Sequence, residues 1–318
     1  MLQIGTLELE QPLILSPMAA LTDAVFRGLI DEIGGVGAMV TEMVSAESLR
    51  RRHPRTMEMV KPGVSSPKAP QFVQLFGADA EAMAEAARIV EEFAYAGIDL
   101  NMGCPAIKVV RTGAGAALLK DVPQLAAIVR RVRRATRRPL SVKIRLGYHA
   151  VNVLESSQAV AAEGADALTV HFRLQNDGYG RKARWDLASE IKSRLRIPLI
   201  GNGDIQTAVD ARERLRLVDG VMIGRGAMAN PFIFREISGR PTVGGDHGWL
   251  IRRLLERLEL HYPERMRLRR LKGLLRFFNA GQMLTRSLKK PVFLTQDYDL
   301  AKAYLLELAA RIEAVGTI

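Results

Sequence analysis

The sequence has little cysteine and no long apolar segment. Its 318 residues include one cysteine, which excludes an intramolecular disulfide and any zinc site built on clustered cysteines. No apolar run approaches the roughly 18 residues that a membrane-spanning helix needs. The N-terminus MLQIGTLELE lacks a basic start followed by an apolar stretch, so no secretory signal is visible. These absences predict a cytoplasmic protein that does not associate with membranes.

Positive charge, by contrast, is abundant. The chain has 46 Lys and Arg against 34 Asp and Glu, a formal net charge of +12. Such an excess favours a polyanionic partner, because cationic side chains that neutralise phosphates release bound counterions. A hydrophobic fraction of 48% is ordinary for a folded globular protein and excludes disorder as the main state.

Short apolar runs recur about every thirty residues and alternate with amphipathic helical patterns. The predicted strands lie at 12–17, 37–42, 70–76, 97–101, 139–145, 166–171, 198–202 and 219–224. Such runs are typical of parallel strands that are covered on both faces. Eight strand–helix units in about 240 residues predict a TIM barrel over 1–240. The alternative, a doubly wound open sheet, usually carries G-x-G-x-x-G after its first strand, and SPMAALTD (16–23) contains no glycine.

The pattern changes after residue 240. The segment PTVGGDHG (241–248) is typical of a linker, and only helical periodicity follows, over 249–261, 263–279, 282–288 and 299–314. Between 245 and 290 there are twelve Lys and Arg against four Asp and Glu, a net charge of +8. We therefore predict a small, basic, all-helical domain over 241–318.

Polar residues stand at the end of every predicted strand. Active sites of TIM barrels gather where the strands end, so these residues predict one large, elongated ligand across the barrel mouth. With the apolar residues and glycines beside them, the residues at the strand ends are Pro17, Met18, Ala19, Glu42, Gln74, Asn101, Cys104, Lys143, Arg145, His171, Arg173, Asn202, Gly203, Asp204, Gly224 and Arg225.

The turns after the last two predicted strands indicate a phosphate site. Asn202-Gly203-Asp204 and Gly224-Arg225-Gly226 are glycine-bearing turns that enter helices, where backbone N–H groups and the helix dipole favour anions. The alternative is that the glycines serve tight turns only.

Two residues are candidates for chemistry. Lys143 in the strand SVKIR either forms a Schiff base or supplies a fixed positive charge, and the spacing alone does not separate these roles. Cys104 lies in a loop at the active face. An ordinary thiol, with a pKa of about 8.5, is protonated at neutral pH and can act as a general acid, whereas a nucleophilic role requires a nearby base.

A basic stripe is predicted on one tail helix. The residues Arg265, Arg269, Lys272 and Arg276 follow the spacing i, i+4, i+7, i+11. Such a stripe suits contact with a phosphate backbone, although a solvated helix face has the same pattern.

Several motifs together resemble the tRNA-dihydrouridine synthases, most closely the bacterial B-type subgroup. They cover residues 12 to about 237 and read SPMAALTD, VQLFG, DLNMGCP followed by GAGAALL, VKIRLG, TVHFR, IGNGDI and MIGRGAMANPFIF. The resemblance implies an FMN enzyme that uses NADPH to reduce the C5=C6 bond of particular uridines in tRNA, with no metal and no obligate protein partner.

The resemblance also implies roles for the residues at the strand ends. Pro17, Met18 and Ala19 would pack on the flavin ring, and Gln74 would bond its pyrimidine edge. Lys143 would stabilise the reduced anionic flavin, which answers the Schiff-base alternative. The ribityl phosphate would be held by Asn202, Gly203, Asp204, Gly224 and Arg225. His171 would contact flavin or uracil, and the candidates for holding uracil are Asn101, Arg145 and Arg173. Hydride would pass from flavin N5 to uracil C6, and Cys104 would protonate C5.

The sequence departs from the family after the sixth strand. The family usually reads His-Gly-Arg-Thr-Arg, whereas this chain has His171-Phe172-Arg173-Leu174-Gln175. Because that loop is close enough to the mouth to contact substrate, we expect the departure to affect which uridine or RNA is used, but not flavin binding.

Three other functions remain open at this point: an FMN dehydrogenase for a free pyrimidine, similar to dihydroorotate dehydrogenases; a Schiff-base lyase that uses Lys143; and an RNA-binding barrel without turnover. A free metabolite gives no reason for the basic tail, a lyase would be colourless, and a binding protein would never oxidise NADPH.

Overall fold

The chain begins with a short antiparallel hairpin that the sequence analysis did not predict. In the computed structural model, which describes residues 1–63, 67–178, 180–278 and 284–315, strand β1 (Leu2–Ile4) pairs with β2 (Leu7–Leu9). Their buried leucine and isoleucine side chains pack against inward-facing residues of the barrel strands, among them Ile14 and Phe72. The hairpin therefore closes the N-terminal end of the barrel.

All eight predicted strands are present and form one closed parallel barrel, so the predicted TIM barrel is confirmed. Around the barrel the order is β10-β3-β4-β5-β6-β7-β8-β9. Their bounds are β3 Leu13–Leu15, β4 Ala38–Ser45, β5 Gln71–Phe76, β6 Gly97–Asn101, β7 Leu140–Gly147, β8 Ala167–Leu174, β9 Leu199–Asn202 and β10 Gly220–Ile223. Because all eight run in the same direction, their carboxyl ends meet at one mouth.

Helices cover the outside of the barrel. Their bounds are α1 Ala24–Ile33, α2 Ala46–Arg50, α3 Pro54–Met59, α4 Ala80–Val90, α5 Ile107–Val110, α6 Val122–Ala135, α7 Val153–Ala162, α8 Ala188–Ser193, α9 Ala208–Arg214, α10 Arg225–Ala229 and α11 Ile233–Ile237, with 3₁₀ turns at Gly115–Lys120 and Trp185–Leu187. Several starts are set by local chemistry: Asp23, Asp79 and Asp121 each accept a hydrogen bond from the backbone N–H three residues on. Such a cap contributes about 1 kcal/mol.

The predicted C-terminal helices follow as α12 Asp246–His261, α13 Glu264–Leu275, α14 Arg286–Leu294 and α15 Tyr298–Val315. Helix α12 begins at Asp246, inside the predicted linker 241–248, because its carboxylate pairs with Arg235 of the barrel. The predicted helix over 263–279 ends earlier, and its last residue lies outside the described residues, as do the first two of the helix predicted over 282–288. None of the described helices is long and apolar enough to cross a bilayer.

The C-terminal helices share a hydrophobic core with the barrel. Phe278 packs against Phe26 of α1 with ring centroids 6.3 Å apart. At the edge of this contact, Arg253 donates two hydrogen bonds to Glu32, at 2.7 and 2.8 Å, and Arg257 also bonds that carboxylate. We call this contact, formed by Phe26 and Glu32 of α1 with Arg253, Arg257 and Phe278, the junction.

Candidate active site

The polar side chains predicted at the strand ends converge on one cavity. Its volume is about 390 Å³, and it opens at the carboxyl ends of the strands. Of the predicted barrel residues, those that line it are Pro17, Met18, Ala19, Gln74, Asn101, Cys104, Lys143, Arg145, His171, Asn202, Gly203, Asp204, Gly224 and Arg225. Glu42 and Arg173 are not among them. The barrel closure brings together residues that lie more than 200 positions apart in the chain.

The loop that carries Cys104 is held from both sides of its backbone. Asn101 Oδ1 accepts hydrogen bonds from the N–H groups of Gly103 and Cys104, at 3.2 and 2.9 Å. The Cys104 carbonyl accepts from the Ala116 N–H at 3.0 Å. Gly115 makes this close approach possible, since a Cβ there would lie 2.7 Å from that carbonyl oxygen. The half-buried thiol is therefore presented to the cavity by a fixed backbone.

Two cations of β7 lie in the mouth. Lys143 Nζ donates to Asn202 Oδ1 at 3.2 Å, and within the described part of the chain this lysine has no ion pair. Burial, together with the positive charge of Arg145, lowers the pKa of Lys143 to about 8. The Arg145 guanidinium donates to the carbonyls of Gly103 and Leu174, at 2.9 and 2.8 Å. Arg145 thus braces the Cys104 loop, and Lys143 adds positive charge to the cavity.

Arg173 lies behind the cavity and organises its far side. Its guanidinium is 1% exposed and donates to both carboxylate oxygens of Asp204 at 2.7 Å, with His171 Nε2 at 3.3 Å. Asp204 also accepts from Arg225 at 3.0 Å. Burial raises the pKa of Asp204, but the bonds from Arg173 and from the Ala183 N–H outweigh it and hold that pKa below its usual value. The uracil contact of Arg173 stays a prediction; its contacts here include Asp204, His171 and the Arg181 carbonyl.

His171 is neutral in this environment. Burial, with the charges of Lys143, Arg145, Arg173 and Arg225 in addition, lowers the pKa of His171 well below its usual value. Because Nε2 faces a guanidinium, that nitrogen is the acceptor and the proton is on Nδ1. The site therefore combines cations with a neutral imidazole.

The two predicted glycine turns leave space at one end of the cavity. A Cβ at Gly224 would lie 3.1 Å from the Met18 sulfur, and one at Gly203 would lie 2.9 Å from the Ala183 Cβ. Gly203 has φ +128° and Asp204 has φ +51°, so both adopt backbone that L side chains rarely take. These turns serve close packing and also open the cavity beside Arg225, so the phosphate site stays a prediction.

The loop after β3 is held in an unusual conformation. Ala20 has φ +62°, and its N–H donates to Glu42 Oε1 at 2.5 Å. Burial raises the pKa of Glu42. This bond fixes the turn that brings Pro17, Met18 and Ala19 to the cavity.

Some lining residues were not predicted. Leu21, Met43, Ile205 and Phe277 all reach the cavity. Phe277 lies just after α13, next to Phe278 of the junction. An apolar residue in a strand, loop or turn gives no sequence signal that it lines a site, so these could not have been found from the pattern.

The departure at Phe172 lies away from the mouth. The Phe172 side chain is fully buried and packs against Trp185 with ring centroids 4.4 Å apart. The Trp185 Nε1 in turn donates to the Gly203 carbonyl at 3.0 Å. The larger residue therefore fills space behind β8 and does not line the cavity.

The basic stripe of α13 divides into two kinds of residue. Arg265, Arg269 and Arg276 are exposed. Lys272 is half-buried, and its ammonium donates to the carbonyls of Phe293 and Thr295, at 3.2 and 2.6 Å. Lys272 thus caps the end of α14, and the contact of all four residues with RNA stays a prediction.

Comparison with known proteins gives consistent results. Residues 14–301 match the model of the family described as dihydrouridine synthase. The chain is 35% identical over 314 residues to a probable tRNA-dihydrouridine synthase of Mycobacterium tuberculosis, covering 90% of this chain and 80% of that protein. It is 38% identical over 281 residues to tRNA-dihydrouridine synthase B of Pseudomonas syringae, covering 87% and 80%. Among solved structures, the old yellow enzyme homologue from Zymomonas mobilis aligns with a TM-score of 0.58 at 12% identity, covering 75% of this chain and 91% of that one. This last likeness concerns the fold alone.

Proposed function

The chain belongs to the dihydrouridine synthase family of flavin-dependent oxidoreductases, and we propose that it reduces uridines of tRNA to 5,6-dihydrouridine, with FMN as the bound flavin and NADPH as the reductant. The observation that carries the proposal is the position of the only cysteine of the chain. Cys104 lies at the wall of a cavity that also contains Lys143. In flavin-dependent reduction of a C=C bond the protein can supply a proton donor and a charge that tunes the flavin.

The residues present fit FMN. The cavity is lined by residues from the strand ends around the barrel, Lys143 forms no ion pair within the described residues, and Gly203 and Gly224 leave one end without side chains. The phosphate end would be held by Gly203, Gly224 and Arg225, with Asn202 beside them. The Asp204 carboxylate is itself negative, so its part is to orient Arg225. The ring end would be covered by Pro17, Met18 and Ala19, with Gln74 at its pyrimidine edge.

FMN, when bound, would supply the hydride for C6 of the uracil, with NADPH as the source of its electrons. The chain supplies the proton and the orientation. The Cys104 Sγ holds the proton that C5 receives, and Asn101 and Arg145 keep the backbone of that loop fixed. Lys143 would place positive charge beside the bound flavin, and the neutral His171, whose Nε2 faces Arg173, adds no charge of its own.

The tRNA would be bound by the basic surface of the C-terminal helices. A uridine must leave its stack to enter the cavity, and this costs least in loops of the tRNA. Exposed Arg265, Arg269 and Arg276 suit contact with phosphates rather than with bases. This substrate implies a cytoplasmic enzyme.

An anaerobic experiment tests the proposal. The purified protein is reduced with NADPH and mixed with tRNA from a strain that lacks dihydrouridine, while the visible flavin spectrum is followed. We expect rapid reoxidation by this tRNA and none by fully modified tRNA. If the flavin stays reduced with tRNA but is reoxidised by a free pyrimidine, the free pyrimidine and not tRNA is the substrate. A protein that neither contains nor takes up FMN would overturn the proposal.

A further inference from the structure

A continuous chain of hydrogen bonds leads from a buried carboxylate to the Cys104 loop. Gln74 Nε2 donates to Asp99 Oδ2 at 2.7 Å, and Asn101 Nδ2 donates to Gln74 Oε1 at 2.8 Å. Asn101 Oδ1 then accepts from the N–H groups of Gly103 and Cys104. Each of the two amide side chains therefore donates through its nitrogen toward Asp99 and accepts through its oxygen from the side of the Cys104 loop.

The carboxylate sets the direction of this chain. An ionised carboxylate can only accept, so Gln74 must turn its nitrogen toward Asp99 and its oxygen toward Asn101. Asn101 must then turn its nitrogen toward Gln74, which leaves its oxygen for the loop. In the opposite orientation the Asn101 nitrogen would face the N–H of Cys104, donor against donor.

Asp99 acts on the site through its neighbours: it faces Lys143 and accepts hydrogen bonds from Gln74 and Ser141. Its side chain is completely buried below the cavity, and Gln74 is 1% exposed, so no solvent competes for these bonds. Ser141 Oγ donates to Asp99 Oδ1 at 2.5 Å, and Lys143 is the cation that faces it. Burial raises the pKa of Asp99 to about 6, even with the bonds from Ser141 and Gln74. Burying a carboxylate is costly, and Asp99 is absent from the cavity wall, so its benefit must pass through its neighbours.

We propose that Asp99 is a positioning residue for Cys104: through Gln74 and Asn101 it orients the hydrogen-bond chain that holds the Cys104 backbone at the cavity wall. The link to catalysis rests on the proposed function, because it assumes that Cys104 is the proton donor. The link to the position of the thiol does not.

The test uses the full-length chain and its single cysteine, so that thiol alkylation reports on Cys104 alone. Asp99→Asn keeps an acceptor for Gln74, Asp99→Leu removes it, and Gln74→Met interrupts the next link. Ser141→Ala is the matched control, because it removes a bond to Asp99 that does not lead to the loop. Iodoacetamide rates at fixed pH are measured for each variant, together with hydrogen exchange of the peptide that contains Gly103 and Cys104.

Release of the loop allows local opening, so we expect alkylation to be about fivefold faster or more in Asp99→Leu and in Gln74→Met. Asp99→Asn and Ser141→Ala should stay within about twofold of the parent. Because both disruptive changes break one chain, the Asp99→Leu/Gln74→Met double variant should be no faster than either single variant. Exchange should rise in the Cys104 peptide and not in a peptide from β9.

Alkylation of Asp99→Leu within about twofold of the parent, or a double variant whose rate is the product of the two single effects, would overturn the proposal. If Asp99→Leu does not fold, Gln74→Met decides: a parental alkylation rate there overturns it equally.

Turnover separates this proposal from the proposed function. With tRNA as substrate, Asp99→Leu should lower kcat about tenfold or more, because a displaced acid loses its alignment, and should leave KM nearly unchanged. Asp99→Asn should restore kcat. If the parent does not reduce tRNA, the proposed function fails, while the alkylation rates still decide whether Asp99 positions Cys104.

Discussion

The barrel mouth and the junction hold their cations in different ways. In the mouth, Lys143 donates to the amide oxygen of Asn202, a neutral group. At the junction, Arg253 and Arg257 donate to the carboxylate of Glu32. In the first arrangement the cation forms no ion pair within the described residues and is offset in part by the nearby buried Asp99. In the second arrangement the cations are neutralised between two packed helices.

This difference separates cations that serve ligand binding from cations that stabilise the fold. A cation whose burial lowers its pKa destabilises the empty site and gains from an anionic ligand. A cation paired with a carboxylate gains its energy on folding. Changes in the mouth should therefore reduce activity and spare stability, and changes at the junction should do the opposite.

The strongest test on the mouth side is Cys104→Ala. We expect dihydrouridine formation to fall about 10²–10⁴-fold, the usual contribution of a general acid, while the flavin spectrum and the unfolding midpoint stay unchanged. The product is measured by mass spectrometry of tRNA after single turnover. Normal turnover in Cys104→Ala would show that Cys104 is not the proton donor.

The exposed arginines on and just after α13 are the cations that we expect to bind tRNA. Reversing the charges of Arg265, Arg269 and Arg276 to Glu should weaken tRNA binding by about tenfold or more and reduce the slope of log K against log salt by about two to three, since each lost phosphate contact removes close to 0.9. Binding is measured by fluorescence anisotropy from low to high salt.

The matched control reverses three exposed arginines at the opposite end of the barrel, Arg134, Arg137 and Arg196. It changes the net charge equally and should leave the salt slope near that of the parent. Equal losses in both triple variants would mean that net charge, and not this face, attracts tRNA.

At the junction, Glu32→Gln should lower the free energy of unfolding by about 1–2 kcal/mol at pH 7, because it leaves two half-buried arginines without their carboxylate. Hydrogen bonds from Arg253 and Arg257 hold the pKa of Glu32 below its usual value of 4.5. The stabilisation is therefore present above pH 4.5 and is lost as the pH falls through the folded-state pKa.

Urea denaturation at pH 7 and near pH 3 measures this difference. Glu256→Gln is the control, because Glu256, which is 57% exposed, pairs with Arg253 as Glu32 does. An exposed ion pair contributes about 0–1 kcal/mol to stability. A loss in Glu32→Gln no larger than in this control would contradict the structural role of the junction.

The smallest effect is expected for Lys143→Met, as a gain in stability of about 1 kcal/mol at pH 7. The folded-state pKa of Lys143 is about 8, below its ordinary 10.5. The unfolded chain thus binds more protons between these values, so the gain should be full below pH 8 and fade toward pH 10.5. Denaturation at pH 7 and 10 measures it, with the exposed Lys182→Met as control. FMN affinity should fall in the same variant; a stability loss at pH 7 would contradict the interpretation of the mouth.

Much of the fold could be predicted because it depends on local patterns. The eight strands are short apolar runs, and residues such as Asp79 and Asp121 mark helix starts by their capping chemistry. The hairpin at Leu2–Leu9 escaped prediction because its strands are only three residues long. The early start of α12 depends on the Arg235–Asp246 pair, which is not a periodic signal.

Periodicity and strand count already predict the barrel, the cavity at the strand ends and the residue types found there, because parallel strands deliver their carboxyl ends to a common edge. Which groups bond to which was set by the folded structure. It turned Arg173 onto Asp204, placed Phe277 at the mouth and linked Asp99 to the Cys104 loop through two amides. A hydrogen bond forms only when donor and acceptor atoms come within about 3 Å of each other. No spacing along the chain encodes that approach between distant segments.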